Sequence, residues 1–217
     1  MKLIGMFDSP FVRRVAIALR HYGMPFEHLD WSVGRDFARI RQYSPLGRVP
    51  TLVLDDGEVL AESAAILDSL DEMAGAARSL MPTHGADRRR ALQVIALAVG
   101  AADKGREQIY ESAFRPPEKR HEPWVERCRS QMHGAVAALD AACAARGEGA
   151  WLVGERPTQA DITAVVVTTF LVESPAVALD ATAYPALHAF VARCEARAEF
   201  RATHVPPSAP QAWVRAR

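Results

Sequence analysis

Hydrophobic spacing changes period several times in the first third of the chain. Leu3-Ile4-Gly5-Met6-Phe7 is a short continuous apolar run, which predicts a strand. It stops at Ser9-Pro10. From there Val12, Val15, Ala16 and Leu19 recur at helical spacing, with Arg13, Arg14 and Arg20 on the other side. Gly23, after Tyr22, marks the helix end. Pro25 to Trp31 predicts a second strand, and a strand–helix–strand unit makes its two strands parallel. Ser32 to Gln42 is polar and Arg-rich, anchored by Phe37 and Ile40, and predicts a short irregular helix. Thr51 to Leu54 and Glu58 to Ala61 predict a strand pair around the Asp56-Gly57 turn. Ser63 then caps a helix from Ala64 to Ala74, with Ile66, Leu67 and Leu70 inward.

Beyond Gly75 the pattern becomes helical throughout. Gly75 to Asp87 carries Pro82 and Gly85 with few apolar anchors, so it reads as a linker. Asp87 to Phe114 predicts a long helix with Leu92, Ile95, Ala96 and Val99 on one face. Trp124 to Arg146 predicts a second, carrying Val125, Met132, Val136 and Leu139. Thr158-Gln159-Ala160-Asp161 resembles a capping box with Asp in place of Glu, opening an apolar helix from Ile162 to Val172. Pro185 to Glu199 predicts a fourth helix, and the tail with Pro206, Pro207 and Pro210 predicts irregular structure. The expected fold is an α+β, thioredoxin-like N-terminal domain (βαβ-α-ββα) over residues 1–76. A linker over 77–87 and an all-α C-terminal domain over 88–217 follow.

Composition narrows the class. The 217 residues include 26 Lys and Arg against 26 Asp and Glu, so the formal net charge is zero. That argues against nucleic acid or an anionic membrane as the main partner. Cys128, Cys143 and Cys194 are odd in number and form no CxxC, which predicts buried, reduced thiols in a cytoplasmic protein. The seven histidines show no metal-ligand spacing, so no metal is expected. The opening apolar run is too short for a signal peptide and is interrupted by Asp8; Ala91 to Ala102 is too short to span a bilayer.

The most suggestive chemistry sits at Asp8-Ser9-Pro10-Phe11. Ser is favoured as an N-cap and Pro at the first helical position, so one hydroxyl lies where a strand ends and a helix begins. Free backbone N–H groups and the positive end of the helix dipole beside it suit an anion, a thiolate included. On the tetrapeptide alone, the simpler reading is a cap.

Four motifs change that weighting. Ser9-Pro10-Phe11 with Arg14-Val15 resembles the serine-type active-site segment of the cytosolic glutathione transferases, notably their tau-like members. Ser44-Pro45-Leu46-Gly47-Arg48-Val49-Pro50 resembles that family's NPxGxVP loop, with Ser replacing Asn. Glu62-Ser63-Ala64-Ala65-Ile66 resembles its ESxAI segment. Trp151-Leu152-Val153-Gly154 followed by Pro157 to Ile162 resembles its buried capping segment. Each is weak alone, but the four fall in the family's order along the chain.

The resemblance implies glutathione as co-substrate, a hydrophobic electrophile as second substrate, and a homodimer. It implies that Ser9 donates its hydroxyl hydrogen to the glutathione sulfur, while still able to accept a capping bond. By default an X–Pro bond is trans; the resemblance implies that Val49-Pro50 is cis, with the backbone of Val49 turned towards the peptide. Glu62 and Ser63 match the γ-glutamyl ammonium and carboxylate. The glycyl carboxylate needs a cation: Arg48 is the first candidate and Arg35 the next, with Arg39 and Arg41 also open. Phe11, Asp103, Arg106, Glu107, Tyr110 and Phe114 are candidates for the electrophile pocket, with Asp103 reaching a ligand amine across a dimer interface. Thr158 and Asp161 are assigned to folding. Absence of Cys from the first 127 residues disfavours cysteine-type thiol transfer. Maleylacetoacetate isomerisation is weaker for want of an SSCSxRV-like segment. Dehalogenation, ether cleavage, peroxide reduction and a non-catalytic scaffold remain as alternatives.

Overall fold

A computed structural model describes residues 1–207 of the chain; Pro210 of the predicted irregular tail lies outside them. Strands β1 (Lys2–Ile4), β2 (Glu27–Leu29), β3 (Thr51–Val53) and β4 (Val59–Ala61) form one mixed sheet in the order β2-β1-β3-β4. β1 and β2 run parallel, with Leu3 opposite His28, as the strand–helix–strand reading requires. β3 lies antiparallel to β1, with Leu52 opposite Leu3, and β4 closes the predicted hairpin. Leu3, Ile4 and Leu52 are fully buried.

β1 is shorter than its apolar run. Gly5 ends it at φ +130°, a region side-chain-bearing residues avoid. A Cβ there would lie 2.6 Å from Val12 Cγ2 and 2.8 Å from Val49 Cβ, so the missing side chain lets strand, helix and loop meet.

Helix α1 (Pro10–Tyr22) ends at Gly23 in the left-handed region, as its sequence signals. α2 (Phe37–Ile40) is one turn, and α3 (Ser63–Ala74) packs on α1 through Ile66, Leu67 and Leu70. The long helix α4 (Gly85–Phe114) begins before the predicted Asp87. Its inward face also differs from the predicted one: Ala91, Val94, Ala98, Ala101 and Ala102 are buried, whereas Leu92 is 47% exposed. Small side chains let α4 approach α5 (Glu122–Arg146) and α6 (Gln159–Glu173) closely. At Gly105 an added Cβ would collide with Leu171 of α6.

The Thr158–Asp161 box forms as its spacing suggests. Thr158 Oγ1 accepts from the Ala160 N–H, and the Asp161 carboxylate accepts from the N–H groups of Thr158 (2.7 Å) and Leu152 (2.8 Å). The predicted Pro185–Glu199 helix is two pieces, α7 (Pro185–Glu195) and α8 (Ala198–Arg201). Arg197 between them is extended (φ −81°, ψ 150°), which turns Phe200 into the core.

The largest departure concerns α1. Arg13 and Arg14, expected on its solvent side, are both buried. Arg13 makes a two-pronged pair with Glu195 of α7, at 2.8 and 2.6 Å, and also donates to the Phe200 carbonyl at 3.1 Å. Glu195 in turn accepts from the Thr169 hydroxyl at 2.6 Å. α1 therefore joins the sheet domain to the helical domain through polar contacts as well as apolar ones.

Burial pushes the Glu195 carboxyl up, but hydrogen bonds from Arg13 and Thr169 and the charge of Arg13 outweigh it, leaving it below its ordinary value. The unfolded chain thus takes up this proton at higher pH than the folded chain. The stabilisation is complete above the ordinary glutamate range and is lost as pH falls through the folded value. Arg13→Met should cost about 3 kcal/mol at neutral pH, because it leaves Glu195 partly buried without its cation. The gap from wild type should narrow below about pH 4, as Glu195 protonates in both proteins. Urea unfolding of both proteins across that range checks it, and a gap that stays constant with pH contradicts it.

Candidate active site

Ser9 stands between β1 and α1 as the helix N-cap, with φ −75° and ψ 121°. Its carbonyl accepts the first helical bond from the Arg13 N–H at 2.9 Å, and its own N–H donates to the Met6 carbonyl at 3.2 Å. Its hydroxyl makes no capping bond, contrary to the expectation that it can serve both ends. The side chain, half-buried, instead lines a cavity of about 490 Å³. The first N–H groups of α1, which have no acceptors within the helix, lie beside it.

Two domains build that cavity. The sheet domain contributes Met6, Asp8 to Phe11, Trp31 to Val33, Arg35, Arg48 and Val49. The helical domain contributes Arg106, Ile109 and Tyr110 from α4, Phe170 from α6, and Ser174 to Ala176 just past it; Pro207 completes the wall. Its volume and mainly apolar lining suit a small molecule.

Val49-Pro50 is cis, as the family resemblance implies. The loop before it is fixed by Gly47 at φ +61° and by Thr51 Oγ1 donating to the Arg48 carbonyl at 3.2 Å. Val49 faces the cavity and Pro50 does not line it. Arg48 pairs with Glu62 at 3.1 Å. Arg35 donates to Asp36 and to the Asp30 carbonyl, each at 2.9 Å.

Glu62 and Ser63 begin α3 outside the lining, Glu62 at φ +69°. Ser63 is buried and its Oγ accepts from Arg14 Nη2 at 2.6 Å. Because guanidinium only donates, that contact uses a lone pair and leaves the Ser63 hydrogen to be donated elsewhere. Burial pulls Arg14 down to about 10, with the Glu62 charge pushing back, so Arg14 stays charged at neutral pH.

Ser9, Phe11, Arg35, Arg48, Val49, Arg106 and Tyr110 are thus brought together from the sequence-based set. Asp103 is not part of the lining and pairs with Arg106 at 3.2 Å. Phe114 packs edge-on against Tyr110, behind it. Trp31, Ser32, Val33, Ile109, Phe170 and the Ser174-Pro175 turn were not anticipated. Their only local signals are a strand end and a helix stop, neither of which reveals a shared cavity.

Cys128, Cys143 and Cys194 are free and buried, and burial pushes Cys143 and Cys194 up to about 12. They are poor nucleophiles. Among the described residues no group of His, Cys, Asp or Glu is gathered as for a metal ion, and no helix is long and apolar enough to cross a membrane.

Comparison with known proteins agrees with this layout. Residues 3–78 match the family model of the glutathione S-transferase N-terminal domain, and residues 104–198 match that of the C-terminal domain. The GST-like protein YibF of Escherichia coli K12 is 31% identical over 140 residues, 64% of this chain and 68% of its own length. A maleylacetoacetate isomerase of Pseudomonas aeruginosa is 29% identical over 94% of this chain and 95% of its own. A glutathione S-transferase of Methylobacterium radiotolerans, in complex with glutathione sulfonate, superposes with TM-score 0.86 at 29% identity, covering 95% of each chain. With a mixed four-stranded sheet domain, an all-helical domain and both family models matched in order, the chain belongs to the glutathione S-transferase family.

Proposed function

We propose that the protein is a serine-type glutathione transferase, of the tau-like kind its Ser9–Val15 segment resembles, in which Ser9 stabilises the glutathione thiolate. The observation that carries this is the uncommitted Ser9 hydroxyl, aimed into a cavity at the N-terminus of α1. A free thiol with a pKa of about 8.5 is mostly protonated at neutral pH. A hydroxyl donor together with a helix end carrying roughly half a positive charge favours the thiolate.

The remaining glutathione groups are assigned to neighbouring residues. Val49, next to cis-Pro50, offers its backbone to the peptide, pairing as an added strand does. Arg48 or Arg35 holds the glycyl carboxylate, each already within the lining. Ser63 donates to the γ-glutamyl carboxylate while Arg14 holds its oxygen from behind, and Glu62 meets the ammonium. Phe11 and Tyr110 border the space for a hydrophobic electrophile. With a chloroarene, the sulfur lone pair forms the C–S bond and chloride leaves with the electrons of the C–Cl bond.

We assign the glutathione half to residues 1–76 and the electrophile half to residues 88–217, joined by 77–87. A cytoplasmic homodimer acting in detoxification completes the proposal. Asp103, outside the cavity of its own chain, is assigned to a ligand amine across the dimer interface. The full-length likeness to a maleylacetoacetate isomerase favours a second reading, glutathione-dependent isomerisation on the same thiolate.

Two readouts on Ser9→Ala test this. Turnover of 1-chloro-2,4-dinitrobenzene should fall about 100-fold, in line with removal of one donor to a developing anion, while retention on immobilised glutathione survives. Unchanged turnover removes Ser9 from its role, and loss of binding in wild type favours a scaffold. Thermal unfolding of the same variant should change by less than about 0.5 kcal/mol, because the hydroxyl it removes makes no capping bond. A loss of a full capping contribution would show that the hydroxyl is structural.

A further inference from the structure

Three arginines, Arg35, Arg48 and Arg106, line the cavity, while the carboxylates that pair with them, on Asp36, Glu62, Asp103 and Glu107, are not part of its wall. Each guanidinium is thus ion-paired on its outer side and borders the cavity on the other, while its carboxylate partner stays off the wall. Among the described residues, Asp8, beside Ser9, is the acidic residue of the lining. Arg35 and Arg48 lie on the sheet domain, where glutathione's glycyl carboxylate takes one of them. Arg106 lies on the helical-domain wall, one helical turn before Tyr110, and the glutathione assignment proposed above does not use it.

Arg106 is partly buried between the Tyr110 ring and two acidic neighbours. Its guanidinium carbon lies 5.9 Å from the centre of the Tyr110 ring, at the outer limit of a cation–π contact. Nη1 meets Asp103 at 3.2 Å and Nη2 meets Glu107 only at 3.7 Å. Both carboxylates are more exposed than the arginine, at 43% and 40% against 27%. Exposed ion pairs of this kind are weak and screened by salt. A ligand carboxylate entering from the apolar side meets the guanidinium in a less watery setting, where a charge-assisted, two-pronged contact is stronger.

Resting on the transferase reading, we infer that the electrophile is an acidic arene or comparably flat apolar acid, its body against Phe11, Tyr110 and Phe170 and its carboxylate on Arg106. The reactive carbon then faces Ser9 from the other side of the cavity. Arg106 is a specificity-determining residue, and the charge of the electrophile is what it reads.

The probe pair is 4-chloro-3,5-dinitrobenzoate and its uncharged carboxamide, each rate divided by its uncatalysed rate with glutathione. The ratio of kcat/KM, carboxylate over carboxamide, should exceed about tenfold in wild type, drop by about tenfold in Arg106→Met and recover in part in Arg106→Lys. The ratio is insensitive to a partial loss of folded enzyme. A wild-type ratio near one, or a ratio unmoved by Arg106→Met, overturns the inference. Calorimetric binding of the two S-aryl glutathione products to the same proteins separates this inference from the parent reading. Tighter binding of the acidic product that depends on Arg106, without turnover of either probe, sinks the transferase reading and keeps the acid site. Equal binding of both products sinks the acid site whatever the turnover.

Discussion

Arg13 and Arg14 are adjacent on α1, both buried, and both need partners that α1 cannot supply. Arg13 finds Glu195 and the Phe200 carbonyl in the helical domain. Arg14 finds Ser63 at the start of α3 and approaches Thr163 of α6 at 3.4 Å. A buried guanidinium left unpaired is costly, so these contacts hold α1 in one position between the two domains. Ser9 is the cap of that same helix, and the Arg13 N–H binds its carbonyl. The placement of the candidate catalytic hydroxyl thus follows from where the two arginines must lie.

A second constraint, close backbone approach at two glycines, shapes the cavity. Gly5 brings β1 within reach of Val12 and Val49, which sets the cis-proline loop opposite Ser9. Gly105 lets α4 and α6 close up beside it. That brings Arg106, Ile109 and Tyr110 and the end of α6 to the far wall. Two glycines remote in sequence therefore let the two walls of the cavity, one from each domain, come together.

Much of the fold was legible because it is carried by local pattern. The α1 end at Gly23, the Asp56-Gly57 hairpin and the Thr158–Asp161 box are short-range devices whose partners lie within a few residues. Arg13 and Arg14 were misread because polarity alone marks a residue as solvent-facing; nothing local announces Glu195, 182 residues away. The inward face of α4 was misread for a related reason: alanine is a weak hydrophobic signal, yet close helix packing buries it in preference to Leu92. The break at Arg197 depends on Phe200 reaching the core, which no spacing within the helix records. At the site, family-like motifs pointed to Ser9, Val49 and Arg48, whereas Trp31, Phe170 and Ser174 belong to it only through tertiary approach.

In the proposed mechanism, Ser9 and the α1 N-terminus together lower the thiol pKa of bound glutathione. Ultraviolet absorbance of the thiolate, titrated against pH with glutathione bound to wild type and to Ser9→Ala, measures this directly. The bound thiol in wild type should ionise at least about one unit below the free value of about 8.5, and much of this shift should disappear in Ser9→Ala. A bound thiol that ionises at the free value, or a shift untouched by the substitution, would contradict it.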